Sequence, residues 1–180
     1  MRLRERSGLH GRWRCATWAN RAEYDRYLIG KKSAKPMDIY EFPNGITDVG
    51  IHYLLEVGFR SDAGSPVAQE APWYARLIDN AGYTGVAAGD TSASHSGWTE
   101  VDEYDEATGQ TLGFAAAASR EITAEVSFTM NATITVKGIF VIDVSTKNAS
   151  TGTLFSTALF GTAPALVSGN VLTANYTLTD

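Results

Sequence analysis

A single cysteine among 180 residues excludes two kinds of scaffold at once. Cys15 has no partner for an intrachain disulfide and cannot build a multi-cysteine zinc site. The three histidines, His10, His52 and His95, stand at no metal-ligand spacing from one another. No apolar run approaches the roughly 18 residues that a membrane-crossing helix needs. The N-terminal arginines are followed by no apolar stretch, so the reading is of a chain without a secretory signal. The sequence has no G-x-S-x-G turn, no glycine-rich phosphate loop and no dinucleotide fingerprint. These gaps disfavour enzyme chemistry, and no cofactor or metal is expected.

What remains is a chain of ordinary foldable composition. At 44% hydrophobic and 19% charged residues it argues against global disorder. Its length fits one domain, or one domain with an appendage, and suffices for a core without staples.

Charge is divided unevenly. Residues 1–40 hold ten of the fifteen cationic side chains and only four carboxylates, a balance of +6. The other 140 residues carry −11. This pattern reads as a basic arm on an acidic body. Aromatic residues are interleaved with the cations: Trp13, Trp18, Tyr24, Tyr27 and Tyr40. Arg, Trp and Tyr are the residues enriched at protein–protein hot spots. Docking on a protein surface is therefore favoured over intramolecular packing, and both over nucleic-acid binding. The candidate contact residues are Arg2, Arg4, Arg6, Arg12, Trp13, Arg14, Trp18, Arg21, Arg26 and Tyr27.

Along the chain, residues 12–18 suit a short strand in an otherwise extended arm. Asn20 caps a predicted helix over 21–29, with Tyr24, Tyr27 and Leu28 on one face. Lys31 to Pro43 reads as a connector broken by Pro36 and Pro43. Thr47 caps a second helix with an apolar stripe of Ile51, Leu54, Leu55 and Phe59. Gly50 within it points to a close packing neighbour. Residues 73–78 read as a buried strand, turned at 79–82. Residues 83–99, rich in small side chains, form a predicted ordered loop anchored by Trp98. Glu100, Asp102, Glu103, Asp105 and Glu106 read as a solvated acidic edge, since the run lacks the pattern of a calcium loop.

From residue 121 the signal is strand. Ile122, Ala124, Val126, Phe128 and Met130 alternate with polar residues, the period of a half-buried strand. Further strands are predicted over 132–144, 154–160 and 171–178, with turns at 147–152 and 168–170. Gly138 marks a bulge or a close approach. The predicted fold is mainly β: an antiparallel β-sandwich or jelly roll with one or two short helices and an extended N-terminal arm. The domain reading is an arm and connector over 1–43 and a β-sandwich over 44–180.

Few residues carry candidate chemistry. His95 lies between two serines but has no orienting third group, so it reads as a loop-organising histidine beside Trp98. Cys15, among cations, reads as a buried or interface thiol. The acidic run is weak support for a glycosidase pair.

Several segments together resemble small virion proteins of tailed bacteriophages. They are Asn44-Gly45-Ile46-Thr47, Gly50, Leu54-Leu55, Phe59, Trp73-Tyr74, Leu77-Ile78-Asp79-Asn80, Ala87-Ala88-Gly89-Asp90-Thr91 and Ser94-His95-Ser96-Gly97-Trp98-Thr99-Glu100. Further on come Thr135-Val136-Lys137-Gly138-Ile139-Phe140, the stretch 152–160, and Val167-Ser168-Gly169-Asn170-Val171-Leu172. The resemblance extends over roughly residues 44–180. It implies a structural protein of the virion, assembled in the bacterial host cytoplasm, with no catalytic residues to carry over. The expected role is a capsid decoration or cement protein. It would dock by its basic aromatic arm on the major capsid protein. The alternatives are a neck, collar or fibre-attachment protein bound to neck or tail proteins and, more remotely, a host-glycan binder. A homo-oligomer is expected, a trimer before a dimer, partly because Gly50 suits a close helix neighbour. Neither nucleic acid nor a membrane is an expected partner.

Overall fold

The computed structural model describes residues 10–59 and 72–179. Among these described residues ten strands and two helices follow one another as β1 (His10–Trp18), α1 (Arg21–Leu28), β2 (Asp38–Ile46), α2 (Asp48–Phe59), β3 (Tyr74–Asp79), β4 (Glu100–Val101), β5 (Gln110–Thr111), β6 (Glu121–Thr129), β7 (Ile134–Ile142), β8 (Leu154–Leu159), β9 (Ala165–Leu166) and β10 (Val171–Thr179). All pairings are antiparallel, and the strands form one curled path in the order β4-β3-β7-β8-β2-β1-β10-β6. The protein is thus mainly β, with the sandwich-like or jelly-roll-like architecture that the alternating apolar pattern predicts.

The curl makes two facing layers, and β2 belongs to both. Residues 38–44 of β2 pair with β1. Gly45 and Ile46 then pair with Thr157 and Ser156 of β8. The main core lies between the layers. Trp13, Phe42, Phe128 and Tyr176 come from one side, and Leu77, Ile139 and Phe160 from the other. Alternation along β1 follows from this: Trp13 and Cys15 point into the core, while Arg12 and Arg14 point to solvent.

This placement corrects the N-terminal reading. Residues 10–18 are no arm. They form a nine-residue strand inside the sheet, paired on one side with β10 and on the other with β2. The expected boundary between residues 43 and 44 falls inside β2. The connector expected up to Pro43 becomes strand from Asp38 onward, despite Pro43. Proline is tolerated because β2 is paired only with β1 over 38–44, so no second ladder needs the missing N–H.

Both helices form where predicted, with different exposures. Asn20 caps α1 by accepting from the Glu23 N–H at 3.0 Å. Tyr24 packs with Ala16, Trp18 and Val171, whereas Tyr27 and Leu28 remain exposed. In α2 the side facing the body is Gly50 and Tyr53, with Leu54 partly buried. Ile51 and Leu55 of the expected stripe are exposed, and the Phe59 side chain lies outside the described residues. A Cβ on Gly50 would collide with the Phe155 carbonyl oxygen on β8. The close neighbour of that glycine is therefore the protein's own sheet, so Gly50 supplies no argument for an oligomer.

Gly138 combines both expected meanings. A Cβ there would strike the Ala158 carbonyl on β8. On the other side, Ile78 lies opposite Gly138 while Asp79 lies opposite Val136, leaving Lys137 as the extra residue of a bulge.

Candidate functional site

The second layer is covered on its outer face by the loop 83–99. A separate apolar cluster forms there from Ile78, Phe140, Ile142 and Leu154 of the sheet and Trp98 of the loop. Burial on both faces explains why Ala75, Arg76, Leu77 and Ile78 are all buried in succession.

The loop is held by its own small polar groups. The Thr84 and Gly85 N–H groups donate to the Gly97 carbonyl at 2.8 and 3.3 Å. A Cβ on Gly97 would strike the Gly85 carbonyl, so this approach requires glycine. Asp90 accepts from the Ala87 N–H at 3.0 Å and from the Trp98 indole N–H at 2.9 Å. Trp98 is buried, 5.0 Å from the Phe140 ring. His95 stacks on Trp98 at 3.9 Å. Its Nδ1 lies 3.1 Å from the Trp98 carbonyl oxygen. A carbonyl can only accept, so that nitrogen carries the proton.

Below the loop lies a feature absent from the sequence reading. Arg76 on β3 and Glu100 on β4 form a two-pronged ion pair, with side chains 1% and 4% exposed. Arg76 Nε donates to Glu100 Oε1 at 2.7 Å, and Nη2 donates to Oε2. Arg76 Nη1 donates to the Val144 carbonyl at 3.3 Å, and its guanidinium lies 5.3 Å from the Phe140 centroid. Gly109 makes room for the arginine stem, which a Cβ there would strike. The Asn148 N–H, in a turn where Asn148 has φ +54°, donates to Glu100 Oε2 at 2.7 Å.

The acidic run is accordingly more than a solvated edge, because its charges meet specific donors. Glu100 is consumed by Arg76. Glu106 accepts from the Thr129 N–H at 3.1 Å. Lys147 donates to the Asp102 and Tyr104 carbonyls, both at 2.9 Å, and sits 3.4 Å from the Tyr104 ring centroid. Desolvation lowers the Lys147 ammonium, against the pull of the neighbouring carboxylates. Among the described residues, no cluster of three or more His, Cys, Asp or Glu is arranged to hold a metal.

Between loop and sheet is a cavity of about 210 Å³, lined by Arg76, Ser92, His95, Trp98, Glu100 and Asn148 among others. Its polar groups already serve the fold. Ser92 Oγ, for example, bonds the carbonyls of Ala149 and Thr151, at 3.0 and 2.7 Å.

Of the candidate contact residues that the structure describes, Arg12, Arg14, Trp18 and Tyr27 line one groove, and Trp13 turns to the opposite face. Arg2, Arg4 and Arg6 lie outside the described residues. Trp13 is in the core, stacked on Tyr176 at 4.5 Å, and is unavailable for docking. Trp18 is buried under α1 and donates to Thr173 Oγ1 at 3.2 Å. Arg14 pairs with Glu41, Arg21 with Asp25 and Arg26 with Glu23. Arg12 and Tyr27 stay exposed. Alternation turns Trp13 to the core and leaves Arg12, Arg14 and Trp18 on the other face of β1, and the helix pairs neutralise Arg21 and Arg26 locally.

Comparison with protein-family models and with curated proteins returns no match. Among the described residues no helix is long and apolar enough to cross a membrane.

Proposed function

We propose that this chain is a structural protein of a tailed-bacteriophage virion, most simply a capsid decoration protein that reinforces the shell. One observation carries the reading: most of the segments that bear the resemblance serve to hold this fold together. Gly50 seats α2 on β8, Gly138 seats β7 on β8, and Ala87 to Glu100 form the clamped loop with its indole anchor and ion pair. Motifs of this kind preserve a shape that other copies and partners contact. Trp98, with its ring turned inward, does not offer the exposed aromatic platform of a glycan site.

The test is quantitative mass spectrometry of purified particles of the phage that encodes the chain. Decoration requires a copy number on the order of tens to hundreds, set by shell symmetry. A handful of copies would move the protein to the neck or fibre base. Absence from the particle would refute the virion reading.

A further inference from the structure

Resting on that reading, we infer that residues 27–39, rather than Trp13 and Trp18, form the docking surface, and that its partner is an acidic protein surface presenting an apolar side chain. Eight large hydrophobic residues are exposed among the described residues, and five of them fall in this stretch: Tyr27, Leu28, Ile29, Met37 and Ile39. Leu28 is 56% exposed and Ile29 71%. Both ends of the stretch lie against β1, where the Tyr27 ring is 4.8 Å from the Trp18 ring. The Met37 N–H donates to the Thr17 carbonyl at 2.7 Å, and Ile39 stands opposite Ala16 on β1. Ala16 in turn lines one groove with Leu28 and Tyr27, of about 410 Å³. A neighbouring groove of about 400 Å³ shares Tyr24, Leu28 and Glu125 with it. Clustered apolar exposure of this kind marks an interaction site more often than a bare surface.

Charge selects the partner. Lys31, Lys32 and Lys35 are exposed within the patch, and none is in an ion pair among the described residues. The arginines of α1, by contrast, are already paired with Asp25 and Glu23. An apolar centre with three exposed lysines against the single carboxylate of Asp38 fits an acidic surface that inserts a side chain beside Leu28. The same rim alone would also attract an anionic lipid surface. However, the patch is short, and two grooves of about 410 and 400 Å³ lie beside it.

The experiment is zero-length carbodiimide cross-linking of purified particles, which joins a lysine amine directly to a carboxylate. Lys31, Lys32 or Lys35 should be found linked to Asp or Glu of another particle protein. Full-length chain carrying Leu28→Asp and Ile29→Asp should keep its melting temperature and lose particle occupancy at least tenfold. Four results overturn the inference: intermolecular links only through Lys137 or Lys147, links from the patch only to a second copy of this chain, undiminished occupancy of the variant, or patch-dependent binding to phosphatidylglycerol vesicles without such links. All four leave the virion reading standing. Absence of the chain from particles removes both.

Discussion

Arg76 and Glu100 are 24 residues apart in the chain and face each other as a buried, two-pronged pair on adjacent strands. Taking either charge away leaves the other uncompensated in a desolvated place. Arg76→Met or Glu100→Leu alone is therefore expected to cost about 3–5 kcal/mol of stability. The double variant should recover most of that loss, since it removes both charges together. Urea unfolding of the two single variants and the double variant measures the coupling.

Trp98 pins the loop 83–99 through ring contacts and one hydrogen bond to Asp90. Trp98→Ala should destabilise the protein by about 3–5 kcal/mol, the range for deleting a buried aromatic ring. His95→Gln should cost less, because an amide N–H can still donate to the Trp98 carbonyl. Denaturant titration of both variants, read by far-ultraviolet circular dichroism, separates the two effects.

Gly50 offers a test of sign. In an isolated helix, glycine to alanine gains about 1 kcal/mol. Here the new methyl group would meet the Phe155 carbonyl, a backbone atom fixed by the sheet. Gly50→Ala is expected to lower stability by about 1–3 kcal/mol, as overpacking does. A rise in melting temperature would show that α2 does not sit so closely on β8.

Stability should fall at alkaline pH. Burial pushes the Cys15 thiol well above its ordinary 9.0. Burial, helped by the Glu125 carboxylate, pushes the Tyr24 phenol from 10.0 up to about 12. Burial raises Tyr104 and Tyr176 as well. From pH 9.0 upward the unfolded chain gives up protons that the folded chain retains, so stability declines through this range. Tyr40 and Tyr83 are raised by burial too, so Lys147, with its folded value lowered, acts in the opposite sense as one group against six. Cys15→Ala should flatten the first part of the decline, below the ordinary tyrosine value of 10.0, and leave the rest. Urea unfolding across a pH series checks it.

Local patterns were legible and long-range pairings were not. The alternation of Ile122 to Met130 announces β6, and Asn20 announces α1. In β1 the same alternation is present, but Arg12 and Arg14 occupy its outward positions, so the segment reads as charge before it reads as strand. Pro43 hides β2, a strand whose unpaired side tolerates it. Strands β4, β5 and β9 have two residues each and show no periodicity. At the candidate site, Trp98 and His95 could be singled out as a loop anchor and its neighbour. The partner of Glu100 could not, because only the pairing of β3 with β4 brings Arg76 to it.

Residues 10–18 form an interior strand, paired on both sides, that the rest of the fold requires. Amide hydrogen exchange measures this directly, since core strands exchange only through global opening. The amides of β1 that bond to β10 and β2 should be among the slowest in the protein. Their opening free energies should match those of β10 and β7. If residues 10–18 exchange freely while β6, β7 and β10 stay protected, the segment is an arm and not an interior strand.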